Sequence, residues 1–199
     1  VANYQSLFYN MQIRFIPITF AMTLLKNDIK LPKDWDQKKL LQFHYEDYSQ
    51  IIEQYKSICN ENNIEYHEYE KHSIAHLGLR SFERLYRSLF NEEFPEIKVI
   101  IPATGHYSWS RGAKLLGLGT NNLVKVKLNQ DLQICMSELD KALEQQVNER
   151  NIILQLVGVY GTTEFGSFDQ IHKIVDLRLK YKEKIYFPIH IDAALHAIT

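Results

Sequence analysis

Over the first ninety residues the apolar positions repeat at helical spacing. Tyr48, Ile51, Ile52, Tyr55, Ile58 and Cys59 fall on one face, as do Phe82, Leu85, Tyr86 and Leu89, which predicts amphipathic helices with one buried side. Residues 1–90 are therefore expected to be mainly helical. The stretch 60–71 is rich in Asn, Glu and Tyr and reads as a surface connection or an exposed helix. No internal repeat or low-complexity tract interrupts the chain.

From Lys98 the pattern changes to short apolar runs separated by helical segments. Strands are predicted at Lys98–Ile101, Leu123–Leu128, Ile152–Val157 and Ile185–Ile191, and helices near Ser108–Leu116, Ser137–Val147 and Asp169–Tyr181. This βαβ rhythm over residues 98–199 predicts an α/β fold, mainly a parallel sheet with flanking helices. Ser137 and Asp169 stand where N-caps would satisfy orphan helix amides, and Gly117 and Gly119 fit the stop of the first of these helices. In Leu123–Leu128 the alternation of Val124, Val126 and Leu128 with Lys125 and Lys127 predicts a strand with one wet face near the edge of the sheet.

Composition narrows the field. The chain has 199 residues, 45% hydrophobic and 24% charged, with a formal net charge of −1, which suits a soluble globular protein with a substantial core. Without a basic stripe, nucleic acid is not an expected partner. The apolar stretch Phe15–Leu25 is interrupted by Pro17 and is about half the roughly 20 residues that a membrane span needs. Cys59 and Cys135 show no CxxC spacing; they read as small buried hydrophobes in a protein of the reducing cytoplasm.

The chemistry gathers at the predicted strand ends. Ile100-Ile101-Pro102-Ala103-Thr104-Gly105-His106-Tyr107-Ser108-Trp109 ends one strand and starts a helix, Gly161-Thr162-Thr163-Glu164-Phe165-Gly166-Ser167-Phe168-Asp169 follows another, and His190-Ile191-Asp192-Ala193-Ala194 closes a third. Open α/β sheets build ligand sites at this carboxyl edge. Crossovers between neighbouring parallel strands would bring His106, Thr163 and Asp192 to one cleft. Taken singly, each has an ordinary reading: a strand-end aspartate capping a turn, a satisfied structural histidine, an uninformative GTT turn.

Together these segments resemble the group II pyridoxal-phosphate-dependent amino-acid decarboxylases, and within them the bacterial tyrosine decarboxylase branch. HYSW ahead of a helix, GTTE followed by a glycine and an aspartate, and HxDAA occur here in that family's order, and Val1-Ala2-Asn3-Tyr4 looks like the start of the helix after its phosphate-binding loop. The likeness spans most of the chain, with little that is diagnostic between Leu31 and Leu79. It implies a fragment, covering residues 1–199, of the large domain of a fold-type I pyridoxal-phosphate enzyme. The activity implied is decarboxylation of an L-amino acid, tyrosine or a related aromatic one, to its amine and carbon dioxide, in a cytoplasmic homodimer without membrane or nucleic-acid partners. Glutamate is an alternative substrate, and a decayed, non-catalytic scaffold is the reading from a different class.

The resemblance also assigns roles. Asp192 would pair with the protonated pyridine nitrogen and favour its charged form. His106 would stack on one face of the cofactor ring as catalytic and cofactor-binding residue, and the Ala194 methyl would meet the other. Thr163 would hydrogen-bond near the phenolic oxygen or the substrate carboxylate. Asp169 is read as a helix cap. The lysine that anchors the cofactor in this family lies beyond the HxDAA strand, so the chain is expected to lack it and to be inactive alone. The opening on Val1 and the end at Thr199 fit an internal fragment. Where the family continues with an aromatic residue and glycines, this chain has Leu195-His196-Ala197, which favours the decayed scaffold.

Other chemistries find less support. Glu68, His72 and His76 recur at i, i+4 and i+8 and could share a helix face, yet HExxH is absent, so a solvated face is expected and no metal site. GxGxxG, Walker and GxSxG patterns are missing, which removes motif support for dinucleotide, nucleotide and serine-hydrolase readings.

Overall fold

The computed structural model describes residues 2–42, 47–67 and 72–194. The chain divides into two compact units, Met11–Phe94 on the one hand and Val1–Asn10 with Pro95–Thr199 on the other. Helix α1 (Ala2–Lys26) contributes its first turns to the second of these and the remainder to the first.

In the unit Met11–Phe94, α1 continues through Pro17 and is followed by α2 (Gln37–Leu41), α3 (Tyr48–Glu61), α4 (Ile74–Leu77) and α5 (Leu79–Phe90). The predicted faces are the ones that pack: Ile51, Tyr55 and Cys59 of α3 and Phe82 and Tyr86 of α5 are buried. Aromatic contacts join these helices. Phe20 stacks on Tyr55 with centroids 3.9 Å apart, and Phe94 meets Phe15, Phe82 and Tyr86 edge-on at 5.0–5.5 Å, the edge-to-face geometry that suits the ring quadrupole. His76 lies in α4 whereas His72 stands in a turn before it, so the two do not share one helix, and Glu68 lies outside the described residues. No helix among the described residues is long and apolar enough to cross a membrane.

The other unit is built on a sheet in which β1 (Ile97–Pro102), β2 (Leu123–Val126), β3 (Ile152–Val159) and β4 (Ile189–Asp192) run parallel in the order β2-β1-β3-β4. All eight residues of β3 are buried, as expected of a strand covered on both faces. One face packs against α7 (Met136–Asn148) and α8 (Ile171–Tyr181), where Leu139, Leu143, Ile174 and Tyr181 join Ile100 and Leu156 in the core. The opposite face takes the first turns of α1 and helix α6 (Ser108–Leu115), with Gln155 of β3 meeting Ser6 and Asn10. Gly112 of α6 permits that approach, since a Cβ there would sit 3.2 Å from Leu7 Cδ1 and 3.5 Å from Tyr4 Cα. As the alternating lysines indicate, β2 is an edge strand with Lys125 and Lys127 exposed.

Local signals succeed at one helix end and fail at two others. Helix α6 closes in a Schellman arrangement: Gly117 has φ +76°, its amide bonds to the Lys114 carbonyl, and the Leu118 amide to that of Ala113. Helix α7 instead starts at Met136 with Cys135 before it, so Ser137 is inside the helix, and Cys135 is half-buried and not a core residue. Helix α8 starts at Ile171 with Gln170 at its cap. Asp169 does not cap it. Its carboxylate accepts from the amides of Ile134 and Val159, each at 2.7 Å, which joins the turn before α7 to the end of β3. The fourth strand is shorter than the alternation suggested because Pro188 offers no amide to a ladder; Ile185 and Phe187 are buried in the core without being strand residues.

Two carboxylates respond to these settings in opposite ways. Burial pushes Asp169 above the usual carboxylate range, opposed by its two amide donors. Asp140 is held below that range, first by the hydrogen bond from Lys180 and also by that from Tyr181, contacts of 2.7 and 2.8 Å joining α7 to α8. In the protein expressed from its whole reading frame, Asp169→Ala should lower unfolding stability by about 2–4 kcal/mol, since two buried amides lose their acceptor; denaturant midpoints read this directly. For Asp140 the stabilisation is complete above its ordinary pKa of 3.8 and disappears as pH falls through the depressed native value. Asp140→Asn should therefore be less stable than wild type near neutrality, with the two stability curves converging in acid.

Candidate functional site

The carboxyl ends of β1, β3 and β4 open onto a cleft of about 680 Å³, within the range of about 300–1,000 Å³ typical of small-molecule sites. Its lining includes Asn3 at the start of α1, Thr104 and His106 after β1, Thr163 after β3, and Asp192 and Ala194 at β4. The structure thus brings His106, Thr163, Asp192 and Ala194 to one cavity.

Each reaches the cleft by a distinct local device. After β1 the chain turns sharply, with the Gly105 amide 2.8 Å from the Pro102 carbonyl. A Cβ at Gly105 would lie 3.0 Å from that same carbonyl oxygen and 3.2 Å from Ile101 Cδ1, so this turn has little space for a side chain. It delivers an exposed His106, whose Nδ1 lies 2.8 Å from Ser108 Oγ. After β3, Thr162 and Thr163 divide the work. Thr162 is buried, its hydroxyl 3.0 Å from Ser167 Oγ and accepting from the Ser167 amide at 3.1 Å. Thr163 is exposed on the cleft wall.

Asp192 is held from behind. Its Oδ2 accepts from Asn3 Nδ2 at 3.0 Å and from the indole Nε1 of fully buried Trp109 at 3.1 Å. Among the described residues nothing donates to Oδ1. His190, two residues earlier, meets the Trp109 ring edge-on at 5.3 Å and places Nδ1 3.1 Å from Ser6 Oγ; burial lowers its pKa, with the Asp192 charge acting the other way. The residues around the aspartate are thus neutral donors and aromatic faces.

Sequence reasoning assigned no role to Asn3, Ser108 or Trp109. A signal for the first was present. Asn3, Ser6 and Asn10 are spaced three and four apart, a polar stripe on one face of α1. That face meets the sheet, through Asp192, His190 and Gln155.

A cleft at the carboxyl edge of a parallel sheet, holding an anchored carboxylate and a histidine, is the ligand-site arrangement of an open α/β protein. The comparisons agree. Residues 91–197 match the pyridoxal-dependent decarboxylase conserved domain, and the chain belongs to that family. It is 32% identical to an L-tyrosine decarboxylase of Levilactobacillus brevis over 196 residues and 29% identical to one of Enterococcus faecium over 195, each match covering 98% of this chain. The chain spans 27–28% of the length of those two relatives. A solved structure of mouse CSAD is similar at 26% identity with a TM-score of 0.47, over 52% of this chain and 21% of that one.

The cofactor of this family is pyridoxal phosphate, and the residues present fit it. Asp192 Oδ1 retains accepting capacity, suited to a protonated ring nitrogen. Among the described residues the Thr104 hydroxyl is buried without a partner beside the same cleft, a site where a polar ligand atom would relieve a desolvated group. Ala2 and Asn3 of α1 also line the cavity. Leu195-His196-Ala197 lies outside the described residues. Thr162→Ala should release the turn that carries Thr163, speeding hydrogen exchange at the Gly166 and Ser167 amides by about fivefold, the equivalent of one net hydrogen bond of ~1 kcal/mol.

Proposed function

We propose that the protein expressed from the whole reading frame is a carboxy-lyase that converts an L-amino acid, tyrosine or a related aromatic one, to its amine and carbon dioxide. The single observation that carries the chemistry is the Asp192 carboxylate, fixed through Oδ2 and open at Oδ1, in the cleft of a chain from a pyridoxal-dependent family. The tyrosine assignment is supported by relatives of that specificity that match 98% of the chain.

Pyridoxal phosphate, when bound, supplies the electron sink for the carbanion left by a departing carboxylate. The chain's own residues do the rest. Asp192 would hold the pyridine nitrogen in its protonated form, because an ionised acceptor favours N–H⁺ over the bare nitrogen. The carboxylate is kept in register by Asn3 and Trp109, so little orientational freedom is lost on binding. His106 would cover one face of the ring and Ala194 the other. Thr163, with its hydroxyl uncommitted to the turn that Thr162 stabilises, would meet the phenolic oxygen or the substrate carboxylate. The fully buried Trp109 closes the site behind Asp192 and would keep water from that side of the carboxylate when the cofactor is bound.

Asp192→Ala should reduce kcat/KM by about a hundredfold or more, the loss of roughly 3 kcal/mol from an electrostatic contact to the reacting system, while circular dichroism stays native. Turnover of tyrosine within a few-fold of wild type would refute the assignment. A folded protein whose visible absorbance does not change on adding the cofactor would point to the non-catalytic scaffold.

A further inference from the structure

The rim of the cleft carries a hydrogen-bonded line from Asp192 to His106 whose polarity can be worked out atom by atom. Asp192 Oδ2 can only accept while ionised, so the Asn3 side chain must present its nitrogen there, at 3.0 Å. The same nitrogen lies 2.9 Å from Ser108 Oγ. An amide nitrogen has two hydrogens, and both are thereby committed. Asn3 is buried, 9% exposed, so water has little access to compete for them.

Ser108 Oγ, having accepted from Asn3, retains its own hydrogen to give. His106 Nδ1 is 2.8 Å away. The backbone amide of Ser108 also points at Nδ1, at 3.3 Å, and an amide nitrogen cannot accept. Nδ1 therefore receives two donors. The reverse arrangement, a hydrogen on Nδ1 donated to Ser108 Oγ, would set it against the amide hydrogen of Ser108. In the neutral ring the proton then resides on Nε2, the tautomer fixed by what the other nitrogen accepts.

We propose that Asn3 and Ser108 are positioning residues that couple the Asp192 anchor to His106 and fix His106 in its Nε2–H tautomer, so that the ring offers the cleft a donor. The imidazole plane is held at the same time, because Nδ1 is tied to both the side chain and the backbone of one residue. The proposal rests on the functional reading above only in taking Asp192 and His106 as parts of a cofactor cleft; the donor and acceptor sequence stands without it.

The test uses the protein from its whole reading frame, labelled with ¹⁵N-histidine and studied by magic-angle-spinning NMR, with His106→Gln identifying the signal. Wild type at a pH where the ring is neutral should show Nδ1 unprotonated and Nε2 protonated. Ser108→Ala removes the 2.8 Å hydroxyl and leaves only the 3.3 Å backbone amide on Nδ1, so the Nδ1-protonated fraction should rise above its wild-type level, and Ser108→Thr, which keeps the hydroxyl, should restore it. In parallel, absorbance titration with pyridoxal phosphate should show Asn3→Ala weakening binding by about tenfold to a hundredfold, the loss of one donor to a charged acceptor. Ser108→Ala leaves both donors on Asp192 and should alter binding by less than about threefold. A proton on Nδ1 in the wild type, or an unchanged tautomer in Ser108→Ala, would overturn the proposal. Wild-type protein that binds no pyridoxal phosphate would overturn the functional reading while leaving the tautomer result to be judged by itself.

Discussion

The arrangement of the site depends on one constraint, the pairing of β3 on both sides in parallel register. Leu156 is opposite Ile100 of β1 and opposite Ile189 of β4. The three strands consequently finish level, and the residues just beyond them, His106, Thr163 and Asp192 to Ala194, emerge at the same edge. Because β3 is buried along its whole length, a slip of one residue would exchange the faces of its two non-apolar positions, moving Gln155 away from Ser6 and Asn10 and Gly158 away from Ile171 and Ile174. The packing that fixes the register therefore also sets the relative height of the polar groups in the cleft.

A second order of constraint comes from polar atoms placed inside that core. Gln155 is fully buried in β3, and its Oε1 accepts from Ser6 Oγ at 3.0 Å and Asn10 Nδ2 at 2.5 Å. Its Nε2 has no partner among the described residues, so the contact is a costly one to keep for stability alone. What it supplies is direction. With Ser6 and Asn10 bound to one side chain, the rotation of α1 about its axis is settled, and Asn3 one turn earlier is aimed at Asp192 and Ser108. The close approach at Gly112 sets the spacing between α1 and α6, and the indole of Trp109, from α6, reaches the same Oδ2 that Asn3 binds. Helices α1 and α6, whose residues Asn3 and Ser108 are 105 positions apart, are thus registered on one oxygen atom.

Much of this was legible in the sequence, and the exceptions share a cause. The strands, their parallel alternation with helices and the edge position of β2 follow from apolar periodicity, which reports burial directly. The edge motifs HYSW, GTTE and HxDAA located His106, Thr163 and Asp192, and all three line the cleft. Asp169 and Ser137 were misread because a cap is a local inference, and the amides that Asp169 satisfies belong to Ile134 and Val159, 35 and 10 residues away. Asn3 escaped notice for the same reason in reverse. Its partners Ser108 and Asp192 are 105 and 189 residues distant, and only the Asn3, Ser6, Asn10 spacing hinted that α1 turns a polar stripe inward.

The aspartates Asp169 and Asp192 show which physical property separates a structural carboxylate from a functional one. Burial is the wrong criterion. Asp169 is the more buried of the pair and has the raised pKa that often marks an active-site acid, yet both of its oxygens are spent on backbone amides at 2.7 Å. It is 7% exposed and is not among the residues that line the cleft. Asp192 is half-buried and lines the cleft, with both its donors on one oxygen and the other uncommitted. The Thr162 and Thr163 pair repeats the distinction with hydroxyls: the first closes a turn, the second faces the cavity. At this sheet edge, chemical capability resides in the groups that the fold orients without exhausting, and the neighbouring residue that looks equivalent in sequence supplies the orientation.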